Sequence, residues 1–277
     1  MSDNPHLKRI LTGLALIVPP AAAITFGGWV LAAVLLVVVA LALWEFYSLF
    51  EEHKAMRMDL RLKVGCLGLA ALLLAACATG RAEFILLVLL FSFWSVAMHL
   101  LFDYSRNPEQ FEIQAGLTAL MGLLYLPLCL QCFLWMQPLA MVLVLAATAV
   151  SDTAAFYTGR LVGGGKVWPT VSPKKTWAGS FGGCAACVAL TIIFGLFFGQ
   201  APWWAWALLG LALNLAAQFG DFFESMLKRT LGVKDSGRLL PGHGGILDRI
   251  DGLLFALPVY LLAESIYPFF GAGGATP

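Results

Sequence analysis

Long apolar stretches alternate with short polar ones along this chain. They predict helices over 10–26, 28–50, 62–79, 82–102, 114–131, 133–157, 177–198, 202–222 and 252–271. Runs such as Trp29 to Leu43 are apolar all round, without the residue-by-residue alternation of a barrel strand. In hydrocarbon a helix satisfies its backbone internally, and about 20 residues of it cross about 30 Å. The fold class this implies is all-α: a polytopic integral membrane protein of about nine transmembrane helices, forming one membrane-embedded domain over 1–277.

Composition strengthens that reading. Hydrophobic residues make up 60% of the chain and charged residues 12%, against roughly 45–50% and about 25% in soluble domains. Lys8 and Arg9 before an apolar run superficially resemble a signal peptide. Pro19 and Pro20 interrupt that run, and no small-residue cleavage site leads into a soluble domain, so a first membrane helix is expected. A net charge of +1 implies no bulk attraction to nucleic acid. Cys129 with Cys132 and Cys184 with Cys187 have Cys-x-x-Cys spacing, but both pairs lie in apolar runs without the partners of a zinc site. They read as small packing residues.

Charge placement orients the helices. With a cytoplasmic N-terminus, the cytoplasmic segments are 1–9, 51–61, 103–113, 158–176 and 223–251. Together with Lys63 they hold 16 of the 17 Lys and Arg residues, leaving only Arg81 outside. The C-terminus is then expected on the opposite side. Segments 51–61 and 103–113 read as solvated connectors, while 158–176 and 223–251 are Gly-rich and dense in ionisable groups.

These two segments carry the candidate chemistry, drawn from 152–177 and 221–251. If 218–229 is helical, Asp221, Ser225 and Lys228 share one face. Asp248 and Asp251 open the last helix directly after a glycine-rich turn. Carboxylates held together call for a cation, and hard oxygen donors favour Mg²⁺ or Mn²⁺, with Asp221 and Asp248 as the expected ligands. Lys228, Arg229, Lys234, Arg238 and Arg249 supply positive charge for a polyphosphate. Gly242, Gly244 and Gly245 would let backbone N–H groups approach an anion beside a helix N-terminus. Juxtamembrane Lys and Arg also anchor helices and attract anionic lipid, but such a belt leaves the acidic partners, Ser225 and the Gly-His-Gly-Gly turn without a purpose. Asp152, inside an apolar helix, is a second-rank candidate. Gly163-Gly164-Gly165-Lys166 is no P-loop, since Arg160 and Val167 stand where Gly and Ser or Thr are needed.

The stretch from Ser225 to Asp251 closely resembles the signature of the phosphatidate cytidylyltransferase (CDP-diacylglycerol synthase) family. The matching positions are Ser225, Lys228, Arg229, Lys234, Asp235, His243, Gly244, Gly245, Asp248, Arg249 and Asp251. The likeness extends to Ser172-Pro173-Lys174-Lys175-Thr176-Trp177, to Asp152 with Gly159-Arg160, and to Arg9-Ile10-Leu11-Thr12-Gly13. Ala178 departs from the Glu or Gln that many relatives carry after the Trp.

The resemblance implies a reaction of CTP with phosphatidic acid that yields CDP-diacylglycerol and pyrophosphate at the cytoplasmic face of a bacterial-type inner (plasma) membrane. On that basis Asp221 and Asp248 hold Mg²⁺, and Lys228, Arg229 and Arg249 meet phosphate charge. Ser225, Lys234, Asp235, His243 and Asp251 organise the turn and bind substrate, while Ser172, Lys174 and Lys175 close over CTP. His243 is expected to stabilise charge or position substrate rather than act as a base, because a phosphate monoester is already ionised near neutral pH, its second pKa being about 6. A monovalent cation such as K⁺ and a homodimer also belong to what the resemblance implies. The alternatives are a CTP-dependent polyprenol kinase, which would attack the γ-phosphorus, and a transporter of an anionic solute, which would place its charges near the midplane, usually with an inverted repeat. A CDP-alcohol phosphotransferase would need an aspartate pattern that is absent here.

Overall fold

The computed structural model describes residues 17–54, 58–237, 239 and 244–271. Nine helices run through them: α1 Ile17–Phe26, α2 Gly28–Lys54, α3 Leu60–Ala78, α4 Ala82–Arg106, α5 Ile113–Leu130, α6 Pro138–Val162, α7 Trp177–Phe198, α8 Trp203–Leu231 and α9 Leu247–Ile266. Each overlaps one predicted segment, and seven of them, α2 to α8, are long and apolar enough to cross a membrane. The chain is an all-α integral membrane protein. Its described sheet is a single antiparallel hairpin, β1 Lys166–Trp168 with β2 Ser172–Thr176, pairing Lys166 with Thr176 and Trp168 with Ser172.

Helix ends differ from expectation for local reasons. α6 starts five residues later than the apolar run suggests, because Gln137 is extended and Pro138 takes the first helical position, where its missing N–H costs nothing. A 3-10 turn, Gln131–Trp135, fills the gap after α5. α8 runs nine residues past the predicted 222, and α9 begins at Leu247 rather than 252. At both places charge ends the apolar run without ending the helix.

The chain divides into two compact units. The first comprises Met1–Trp135 with Leu231–Asp248, the second Met136–Thr230 with Arg249–Thr276. In the first unit α2 packs on α3 and α5, and α4 packs on α3 and α5. Phe46 and Tyr47 are fully buried there, and the Tyr47 hydroxyl donates to the Ala119 carbonyl at 3.0 Å. Buried Lys63 pairs with Glu51 and lies 5.3 Å from the Trp44 ring centroid. Asp59 accepts from Arg61 N at the start of α3. The 51–61 segment, expected as a solvated connector, therefore supplies a cap and a partner for a buried ammonium.

In the second unit α6 and α7 are in intimate contact. Lipid tails are as apolar as the side chains, so membrane helices associate through close packing and hydrogen bonds, which favours small residues at the seam. A Cβ on Gly179 would stand 2.6 Å from the Ala155 carbonyl oxygen, and one on Gly183 2.8 Å from that of Ser151. Gly179→Ala is expected to lower the thermal unfolding temperature in detergent, since the obstacle is backbone. Gly65→Ala, where a Cβ meets nothing within 4 Å, should keep or raise it by a helix-propensity gain of about 1 kcal/mol or less. Equal behaviour of the two variants would refute the close-packed seam. The six cysteines are free, as the packing reading expects.

Candidate active site

Because α8 stays helical to Leu231, Asp221, Ser225 and Lys228 share a face, as their spacing predicts. The same face continues inward through Gln218 and Asn214. Asn214 Nδ2 donates to Ser151 Oγ of α6 at 2.7 Å, Gln218 Nε2 donates to Asn214 Oδ1 at 2.6 Å, and Ser180 Oγ of α7 donates to Gln218 Oε1. This polar ladder ties α6, α7 and α8 together just below Asp221. Its signal was available in the sequence, as a heptad stripe of polar residues within an apolar helix.

At the top of the ladder Lys175 forms an ion pair with Asp221 and lies 4.7 Å from the Phe222 ring centroid. The β1–β2 hairpin makes this possible. Trp168 on β1 rests against Phe222 with ring centroids 5.7 Å apart, and Thr176 ends the hairpin by accepting from Gly179 N as the N-cap of α7. Asp152 of α6 has Asp221, Lys175 and Arg249 as electrostatic neighbours. Asp251 of α9 is within hydrogen-bonding reach of Asp221 and also neighbours Glu224. Glu224, to which the sequence reading gave no role, is 1% exposed and pairs with Lys228 at 2.6 Å. The second unit thus interleaves four carboxylates, Asp152, Asp221, Glu224 and Asp251, with Lys175, Lys228 and Arg249.

The other predicted residues are placed as follows. Ser172 and Lys174 lie on β2, and the Lys174 carbonyl accepts from Lys166 Nζ at 3.5 Å. Ser225 is half-buried on α8, Arg229 is exposed near its end, and Lys234 and Asp235 lie exposed in the bend beyond it. Arg9, Arg238, Gly242 and His243 lie outside the described residues. In the first unit, Asp248 Oδ2 accepts from Ser236 N at 3.0 Å and from Gly245 N at 2.9 Å, and Asp248 N donates to Ser236 Oγ at 3.3 Å. Gly244 has φ +81°, a left-handed conformation that suits glycine. Gly245 N, expected to face a phosphate, here meets the Asp248 carboxylate. Glu45 of α2, the lone acid between Trp29 and Phe50 and one that sequence reasoning missed, accepts from Ser236 Oγ, from Ile246 N at 2.9 Å and from Leu247 N at 3.2 Å.

The first unit also contains a cavity of about 750 Å³ lined by Glu51, Asp59, His99, Asp103 and Glu112 among others. Its charge is of the wrong sign for a polyphosphate, so size alone does not make it the reaction site.

The donor set of the second unit suits a hard divalent cation. Asp221 and Asp251 bring carboxylate oxygens together, and the Lys175 ammonium already sits where positive charge is wanted. Among the described residues no three His, Cys, Asp or Glu side chains are grouped to hold a metal by themselves. Mg²⁺ does not require such a cage: it is commonly held by one or two carboxylates, with phosphate oxygens and water completing the shell.

Fold and site define a polytopic membrane protein with a charged centre of carboxylates interleaved with Lys and Arg. The sequence profile of the cytidylyltransferase family matches residues 7–267, and the chain belongs to that family. It is 44% identical over 126 residues to the phosphatidate cytidylyltransferase of Brucella suis biovar 1 (strain 1330), covering 46% of this chain and 47% of that protein. It is 45% identical over 111 residues to the enzyme of that name from Staphylococcus epidermidis (strain ATCC 35984), covering 40% and 43%. With the one from Staphylococcus aureus (strain COL) it shares 47% identity over 114 residues, again 40% and 43%. The aligned segments span less than half the length of each relative.

Proposed function

We propose that this protein transfers the cytidylyl group of CTP to phosphatidic acid, with Mg²⁺ assisting, at the cytoplasmic face of the membrane. Family membership and the names of the aligned relatives support the reaction class. The observation that carries the reading is the Lys175–Asp221 pair, ringed by Asp152, Asp251 and Arg249.

A phosphate oxygen of the lipid, already ionised, attacks the α-phosphorus of CTP. One P–O bond forms, the bond to the bridging oxygen breaks, and pyrophosphate leaves with that electron pair. Both reactants are anions, so the protein's task is to bring them together and to neutralise charge in the transition state. Lys175 and Arg249 face the phosphates, with Arg offering a two-pronged donor. Asp221, with Asp251 beside it, would hold Mg²⁺, which when bound neutralises phosphate charge; for Asp248, whose carboxylate accepts from Ser236 N and Gly245 N, the ligand role rests on the sequence reading. Asn214, Gln218 and Ser180 hold the α8 face in place beneath Asp221. CTP is cytosolic while phosphatidic acid keeps its tails in the bilayer, so a site at the membrane boundary serves both. A cytoplasmic N-terminus and a homodimer are part of this proposal.

Purified protein is given phosphatidic acid in detergent micelles, Mg²⁺, and CTP labelled at the α- or the γ-phosphorus. Transfer of only the α label to lipid is expected. Transfer of the γ label would instead mean a CTP-dependent kinase, and no transfer would overturn the enzymatic reading.

A further inference from the structure

We propose that Glu45, on a helix remote in sequence from every signature residue, is a positioning residue for this reaction: its carboxylate holds the signature turn and sets the start of α9. The proposal rests on the function proposed above. Glu45 is the lone acid in the apolar stretch from Trp29 to Phe50, and it is buried. A carboxylate in such surroundings is costly unless its oxygens are satisfied. They are satisfied by groups 191, 201 and 202 residues away: the Ser236 hydroxyl and the N–H groups of Ile246 and Leu247. The first N–H groups of a helix have no partner within it, so Glu45 supplies a cap for α9 from α2.

The contacts form a connected set. Ser236 Oγ donates to Glu45 and accepts from Asp248 N, while Asp248 Oδ2 accepts from Ser236 N and Gly245 N. Ser236 and residues 245–248 are thereby closed around two protein carboxylates. Two glycines beside the Glu45 carboxylate, Gly237 and Gly245, follow from this. A Cβ at Gly245 would collide with Glu45 Oε1, and one at Gly237 would lie 2.7 Å from Glu45 Cδ. These positions need glycine because Glu45 fills the space, whatever ligand the turn also meets. The backbone at Ile246 and Leu247, where α9 begins, is held by an acid outside the signature.

Glu45→Gln keeps the shape but turns an amide NH₂ toward groups that are themselves donors. Hydrogen exchange of segment 244–248 in the purified full chain is measured beside kcat and the KM for CTP. Exchange is expected to rise at least tenfold in that segment and kcat to fall at least tenfold, with KM within threefold and helix content unchanged. Glu45→Asp, which restores the charge, should recover part of kcat. Unchanged exchange, or kcat within twofold of the parent protein, would overturn the proposal. If Glu45→Gln does not fold, Ser236→Ala serves instead: it leaves the carboxylate and both backbone bonds, and should raise exchange in the same segment and lower kcat at least threefold. Unchanged values there overturn the proposal equally. An inactive parent protein would refute the proposed reaction, whereas the exchange measurement reads the hold of Glu45 on the turn without any turnover.

Discussion

Asp221→Asn is expected to lower cytidylyl transfer by at least about 100-fold while leaving the protein inserted and as stable as before. The amide fills the same volume but cannot neutralise Lys175 or bind a divalent cation as a carboxylate does. Stability should hold because Asp221 stands among like charges: Asp152 and Asp251 are both its neighbours. Removing one negative charge relieves repulsion that offsets the lost ion pair with Lys175. The measurements are turnover with α-labelled CTP across a Mg²⁺ titration and thermal unfolding in detergent. Turnover within tenfold of the parent protein would remove Asp221 from the role given to it. A large drop in unfolding temperature would mean that the pair serves mainly to hold the hairpin on α8.

The largest stability effect is expected from Lys228→Met. Glu224 is almost wholly enclosed, and the Lys228 ammonium lies 2.6 Å from its carboxylate. Taking one partner from a buried ion pair costs about 3–5 kcal/mol, because the remaining charge loses the cation that offset its lost hydration. Asp251 next to Glu224 adds repulsion once the cation is gone. Thermal unfolding should therefore shift sharply downward in Lys228→Met, and Glu224→Gln in the same background should recover most of the loss. The double variant also separates two roles of Lys228. If it is folded but inactive, the ammonium meets phosphate during the reaction; if it is folded and active, its task is to neutralise Glu224.

The charged centre was partly legible in advance. The face carrying Asp221, Ser225 and Lys228 follows from helical periodicity once 218–229 is taken as helix, and Asp248 does fall in the first turn of α9. The partners of these groups were not legible. Lys228 was assigned to phosphate and is found on Glu224; Lys175 was assigned to CTP and is found on Asp221. Gly245 was assigned to an anion, and the anions it meets are Asp248 and the side chain of Glu45. A Lys or an N–H group suits a protein carboxylate as well as a phosphate, so residue type alone does not name its partner within the protein.

Sequence alone determined the approximate positions of the helices, their all-α membrane character and the family, since these depend on local quantities: apolar run length, periodicity and a contiguous signature; of the nine spans it implied, seven helices among the described residues are long and apolar enough to cross. Helix ends were misplaced where the apolar run and the helix stop at different residues, as in α8, which carries Glu224 and Lys228 in its last turns. What the tertiary structure decided was pairing across long separations: Lys175 with Asp221, 46 residues apart, Asn214 with Ser151, 63 apart, and Glu45 with Leu247, 202 apart. A buried charge must find a partner, but nothing local says which one. That choice is made by the packing that brings the helices together.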